Sequence, residues 1–124
     1  MSRATIIVLF LLLCTSSVAE ARGGRGARQS GTALWYGREC KCTANGEHYD
    51  PSAMTAAHRT LPFDTLVRVT HCTNGCSAVV RINDRGPFKK GRLIDLSKAA
   101  AQQLRMIEAG LGPVEIAVIG SADE

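Results

Sequence analysis

The sequence predicts a mainly β domain, a small closed barrel of about six short strands with one short α-helix. Three observations carry this. Apolar and polar residues alternate over short runs separated by turn residues such as Asn74-Gly75 and Gly86-Pro87. A single stretch, after Ser97, changes to a helical period. Strands this short leave unpaired edges unless the sheet closes on itself.

The first 21 residues stand apart from that domain. Arg3 gives a positive start, Ile6 to Leu13 an apolar core too short to span a bilayer, and Ala19-Glu20-Ala21 a small-residue cleavage site. Leu13 is not the small residue that a lipid anchor on Cys14 needs, so the mature chain is expected to be exported and soluble, without a membrane anchor. Residues 22–30 form a basic linker in which Arg22, Arg25 and Arg28 alternate with glycine, too poor in apolar surface to fold.

The barrel is expected over residues 31–120, with 121–124 as a disordered tail. Thr32 to Gly37 reads as the first strand, and Arg38 to Pro51, with Asn45-Gly46, as a long loop of the kind that carries function. Ser52 to His58 is ambiguous between a helical turn and a bent strand. Leu61 to Asp64 is a turn, Leu66 to His71 a strand, Asn74-Gly75 a hairpin and Ala78 to Ile82 its return. A polar turn holding Asp84, Arg85, Gly86 and Pro87 leads to the apolar run Leu93 to Leu96. Ser97 caps a helix over Lys98–Ile107 that Gly110 closes, with Ala101, Leu104 and Ile107 on its packed face. Pro113 opens the last strand, Val114–Ile119.

Charge and cysteines narrow the class. Cleavage removes one base and one acid, so the net charge stays at +4, while residues 31–124 carry 11 basic and 10 acidic side chains. A nucleic-acid partner would need a basic stripe on the folded part, and none is there. Cys40, Cys42, Cys72 and Cys76 are an even set in an oxidising compartment. A bridge between Cys40 and Cys42 is strained, so pairing of that segment with the Cys72/Cys76 hairpin is expected. Zinc is the rival reading of these spacings. The compartment favours disulfides, and no metal or other cofactor is expected.

Asp84, at the end of a strand beside Arg85, is the candidate acid. Its plain alternative is an Asx cap of its own turn. Asp95, just before the helix, reads as a structural carboxylate bonding the first amides. Of Trp35 and Tyr36, adjacent in a strand, Tyr36 is expected to face outward, where its ring suits a sugar.

Five motifs then resemble a known family: Gly31–Gly37, Thr43-Ala44-Asn45-Gly46-Glu47, Met54–Phe63, Val80–Phe88 and Gly91–Ser97. In order, they resemble the double-psi β-barrel of rare lipoprotein A, a lytic transglycosylase of bacterial peptidoglycan. The resemblance implies a six-stranded double-psi barrel that acts as a monomer on peptidoglycan glycan strands. It places catalytic positions on Glu47, His58 and Asp84, with Tyr36, Thr43, Asn45 and Arg85 as substrate-binding neighbours. The chain departs from the family in its cysteines and in lacking the lipid-anchor motif and the carboxy-terminal glycan-binding domain of longer members. Two functions stay open. One is endolytic cleavage, preferably of stem-peptide-free strands, to 1,6-anhydro-muramyl ends; the other is an expansin-like module that grips polysaccharide without cutting it. In the first, the C6 hydroxyl of muramic acid attacks in place of water, and one carboxyl group serves as acid and then as base.

Overall fold

The computed structural model describes residues 27–36 and 42–123. The export segment, the linker ahead of Ala27 and Cys40 lie outside the described residues. Six strands, β1 (Arg28–Tyr36), β2 (Thr55–Ala57), β3 (Thr65–His71), β4 (Ser77–Asp84), β5 (Arg92–Ser97) and β6 (Leu111–Ser121), close into a barrel in the order β1-β5-β2-β4-β3-β6. One helix, α1 (Lys98–Gln103), follows β5. The pairs β1–β5 and β2–β4 are parallel and the others antiparallel. Two parallel pairs in a closed six-stranded barrel fit the double-psi barrel that the sequence resembles.

Alternation decides which residues fill the interior. Ala78, Val80 and Ile82 of β4 are buried, whereas Val79 between them is exposed. Val67 and Val69 of β3, Ile94 and Leu96 of β5, and Val114 and Ile116 of β6 complete the packing. Full burial of each such side chain stabilises by about 1.5–3 kcal/mol. Ala101 and Leu104 join the same core, as the helical period predicted, together with Ala100, while Ile107 packs against it partly buried.

β1 begins at Arg28, inside the stretch whose composition reads as linker. Arg28, Gln29 and Ser30 pair with Ala117, Ile116 and Glu115, because the eleven-residue β6 offers them backbone partners. The other end differs in the same way. Ser121 pairs with Thr65, and the Ala122 amide donates to Asp64 O at 2.8 Å, where a disordered tail was expected. Both corrections have one cause: main-chain pairing does not require apolar side chains.

The helix stops at Gln103, four residues before the expected end. Arg105 turns into the left-handed region at φ 59°, and the Met106 amide reaches Ala101 O at 3.0 Å while Arg105 N reaches Gln102 O at 3.0 Å. This is a Schellman closure with arginine at the position that usually holds glycine. It aims Met106 into the core, where it is buried. Ser52–His58 resolves as the three-residue β2, buried throughout, because β4 and β5 bracket it on both sides.

Cys42, Cys72 and Cys76 are free thiols. Cys72 and Cys76 flank the β3–β4 turn, whose His71 amide donates to Cys76 O at 2.8 Å. That turn adjoins Ser77, while the Thr43–Glu47 turn meets β4 at Arg81 to Asp84. The two ends are about 20 Å apart on an extended strand. Cys42 thus lies toward the opposite end of β4 from Cys72 and Cys76, while Cys40, the other expected partner of the hairpin, is outside the described residues.

Candidate active site

The site is built where β4 ends. Asp84 Oδ1 accepts from the backbone amides of Ala44 at 2.8 Å and Arg85 at 2.9 Å, so this carboxylate ties the 43–47 turn to the strand. The Asn45 amide adds a bond to Asn83 O at 3.3 Å, and His58 N donates to Asp84 O at 3.2 Å. Asp84 Oδ2 makes no hydrogen bond among the described residues. The Asx-type bond to Arg85 N is real, so the capping role and an outward-facing carboxylate oxygen coexist in one side chain.

Arg85 does not meet the Asp84 carboxylate, as its sequence position suggested. Its Nη1 donates to His58 O at 3.1 Å and Leu61 O at 2.9 Å, and its guanidinium lies 4.0 Å from the centre of the Phe63 ring. The cation brackets the turn after β2 and leaves the carboxylate to the amides. Gly86 follows with φ +121°, a conformation closed to other residues without strain. The Phe88 ring folds back against the space its Cβ would take, at 3.5 Å, while remaining 77% exposed.

Glu47 is held as an ion. Arg81 reaches its two oxygens at 2.9 Å each, and Asn83 Nδ2 donates to Oε1 at 3.0 Å. The Arg81 and Asn83 hydrogen bonds pull its pKa down to about 2. A carboxylate so bound cannot carry a proton at neutral pH; it locks the loop onto β4. Arg81 also pairs with Asp64 at 3.0 Å, which extends the lock to the turn before β3.

His58 is buried, and its ring is fully engaged. Nδ1 accepts from the amides of Thr60 and Leu61, both at 3.1 Å, and Nε2 faces Gln29 Oε1 at 3.0 Å. That pattern fixes the proton on Nε2. Burial, with Arg59 and Arg85 nearby, lowers its pKa, so it stays neutral. Its link to Asp84 runs through the main chain, not through the ring.

Thr43 and Asn45 shape the turn itself. Thr43 Oγ1 donates to Asn45 Oδ1 at 2.6 Å, and the Glu47 amide donates to the same oxygen at 3.1 Å. Trp35 turns inward and donates from Nε1 to Ile107 O at 3.2 Å. Tyr36 takes the opposite face of β1 and stacks on Tyr49, ring centres 4.7 Å apart. It is thus outside the barrel wall as expected, yet covered by Tyr49, which also donates to Tyr36 O and accepts from Lys98 N at 3.1 Å.

The structure therefore gathers Glu47, His58, Asp84 and Arg85 around the end of β4. Of the two carboxylates among them, only Asp84 keeps an oxygen without a hydrogen bond among the described residues. Sequence reasoning missed Arg81, Asn83 and Tyr49, whose partners lie far along the chain. It also misplaced Asp95. The helix cap is Ser97, whose Oγ accepts from Ala100 N at 3.2 Å, and the Asp95 contact is Arg92 Nη2 at 3.4 Å. Among the described residues no cluster fit to hold a metal ion occurs, and no helix is long and apolar enough to cross a membrane.

Residues 28–116 match the family model described as lytic transglycolase. A probable endolytic peptidoglycan transglycosylase RlpA of Nostoc sp. is 58% identical over 94 residues, covering 73% of this chain and 25% of the relative. The endolytic peptidoglycan transglycosylase RlpA of Vibrio cholerae is 53% identical over 97 residues, covering 77% of this chain and 37% of its own. The chain thus spans roughly a quarter to a third of the length of these relatives. Among solved structures, a Streptomyces papain inhibitor aligns with TM-score 0.63 at 23% identity, over 77% of this chain and 96% of the other. A Clavibacter michiganensis expansin variant in complex with cellohexaose aligns with TM-score 0.58 at 19% identity, over 74% and 50%. At those identities the two structures share the fold.

Proposed function

The chain belongs to the double-psi β-barrel lytic transglycosylase family, and on that premise we propose that it cuts peptidoglycan glycan strands internally, leaving 1,6-anhydro-muramyl ends. The observation that carries this is Asp84. Two amides fix one of its oxygens on a rigid strand end, and the other oxygen is left without a protein partner among the described residues. A site carboxyl must be held by its surroundings within a few tenths of an ångström, and a strand end does this better than a free loop.

The remaining predicted residues support Asp84 instead of sharing its chemistry. Glu47, through Arg81 and Asn83, fixes the 43–47 turn that supplies the Ala44 amide. His58 and Arg85 fix the turn after β2 on the other side. The exposed Phe88 ring, four residues after Asp84 and folded against Gly86, offers a sugar-stacking face. Strands free of stem peptides are the preferred substrate in this reading. The protein acts as an exported monomer in the cell envelope.

Incubating the mature protein with purified, amidase-stripped glycan strands tests this. Mass spectrometry should find new anhydro-muramyl ends from internal cuts. Strands retained by the protein but never cut would replace this reading with a polysaccharide-binding module.

A further inference from the structure

Asp95 lies where a second carboxyl of the same site would stand. β2 runs between β4 and β5, and Ala57 of β2 is the register partner of both Asp84 on β4 and Asp95 on β5. The β2–β4 register slips by one residue between Ala56 and Ala57, which brings Asp84 and not Asn83 opposite Ala57, and two strand spacings put the two aspartate Cα atoms about 10 Å apart. Ala57 between them is buried, so a single small side chain separates the two aspartates across β2. Leu34 of β1 pairs with Asp95, and Tyr36, two residues on, shares the face of Leu34. The Tyr36 hydroxyl is buried without a hydrogen-bond partner. A buried, unmatched hydroxyl costs about 1–3 kcal/mol and marks a place where a ligand group can bond.

We propose, building on the lytic transglycosylase reading, that Asp95 is a second catalytic carboxyl, the one that carries the proton to the glycosidic oxygen, with the Tyr36 hydroxyl binding substrate beside it and Asp84 as the fixed carboxylate across β2. In this scheme Asp95 gives its proton to the leaving oxygen as the bond from muramic C1 breaks. Positive charge grows at C1, and the Asp84 carboxylate faces it. The C6 oxygen then bonds to C1, and its proton returns to Asp95. Atoms and protons balance, water is not consumed, and Asp95 ends each cycle protonated as it began.

Electrostatics agree with that division. Burial raises the Asp95 pKa, the Asp84 charge adds to the rise, and Arg92, its one cationic neighbour among the described residues, opposes it. The Asp84 and Asp95 charges also reach the Tyr36 hydroxyl, after burial the next causes of its raised pKa together with Tyr49. A carboxyl raised by burial beside a second one held by two amides suits a division into acid and charge stabiliser.

The test uses the mature protein on amidase-stripped strands, reading anhydro ends against pH together with the melting temperature. Asp95→Asn should melt like the parent, still retain strands, and release anhydro ends at least about 100-fold more slowly. Arg92→Gln removes the opposing cation, so the alkaline limb of the activity profile should move to higher pH. Tyr36→Phe should raise KM more than it lowers kcat. An Asp95→Asn protein within about threefold of the parent overturns the proposal while leaving the function standing. If Asp95→Asn fails to fold, an Arg92→Gln limb that coincides with the parent's overturns it instead. A parent that never releases anhydro ends overturns the functional reading, and this proposal with it.

Discussion

Replacing Glu47 by Gln separates a positioning role from a chemical one. Gln keeps the size and one acceptor but loses the charge that Arg81 grips from both oxygens at 2.9 Å. The native pKa is about 2 against an ordinary 4.5, a difference equivalent to about 3 kcal/mol if nothing screened it. The side chain is 40% exposed, so solvent screening brings the contribution down to about 1–2 kcal/mol. The sign follows from the lowered native pKa. This stability is fully present above about pH 4.5 and disappears as the pH falls through about 2. Urea unfolding of parent and Glu47→Gln should therefore differ by about 1–2 kcal/mol at pH 7 and converge near pH 2. Activity should fall several-fold, with KM rising, because the Ala44 amide loses its fixed place against Asp84. A constant gap at every pH would refute the ion-pair argument. Loss of activity by two orders of magnitude with unchanged stability would show that Glu47 takes part in the chemistry directly.

Two further substitutions probe the frame and the groove. Ser97 is fully buried, donates to Ala53 O at 2.7 Å and caps α1 through Ala100 N. Ser97→Ala should cost about 1–3 kcal/mol in urea unfolding, and a loss below about 0.5 kcal/mol would show that neither bond matters. Phe88 is 77% exposed, so Phe88→Ala should leave the melting temperature in place. It should weaken retention of glycan strands about 3- to 10-fold, the scale of one aromatic stack, with Phe88→Trp restoring it; equal retention by all three proteins would remove Phe88 from the groove.

What was legible in the chain was what depends on near neighbours. The alternation of β3 and β4, the Asn74-Gly75 turn and the Ser97 cap are local signals, and each appears in the fold. β2 was not legible, because Thr55-Ala56-Ala57 carries no period and becomes a strand only when β4 and β5 close on it. The helix end was hidden because Arg105, not a glycine, takes the left-handed turn. Asp84 stood out from its turn, but Asp95 did not. Two places before the cap, it reads as a helix carboxylate, and its relation to Asp84 exists only through Ala57 on a third strand. The Arg81–Glu47 lock spans 34 positions and has no local signature at all.

The central claim, that Asp84 is a working carboxyl of a strand-cutting site, is tested most directly by Asp84→Asn assayed for anhydro-muramyl ends on amidase-stripped strands. Asn keeps an oxygen able to accept from Ala44 N and Arg85 N, so the turn should hold and the melting transition should stay within about 1 kcal/mol of the parent. The account predicts that this folded protein still retains strands and loses at least about 100-fold in cutting rate. A folded Asp84→Asn protein that releases anhydro ends near the parent rate would contradict it.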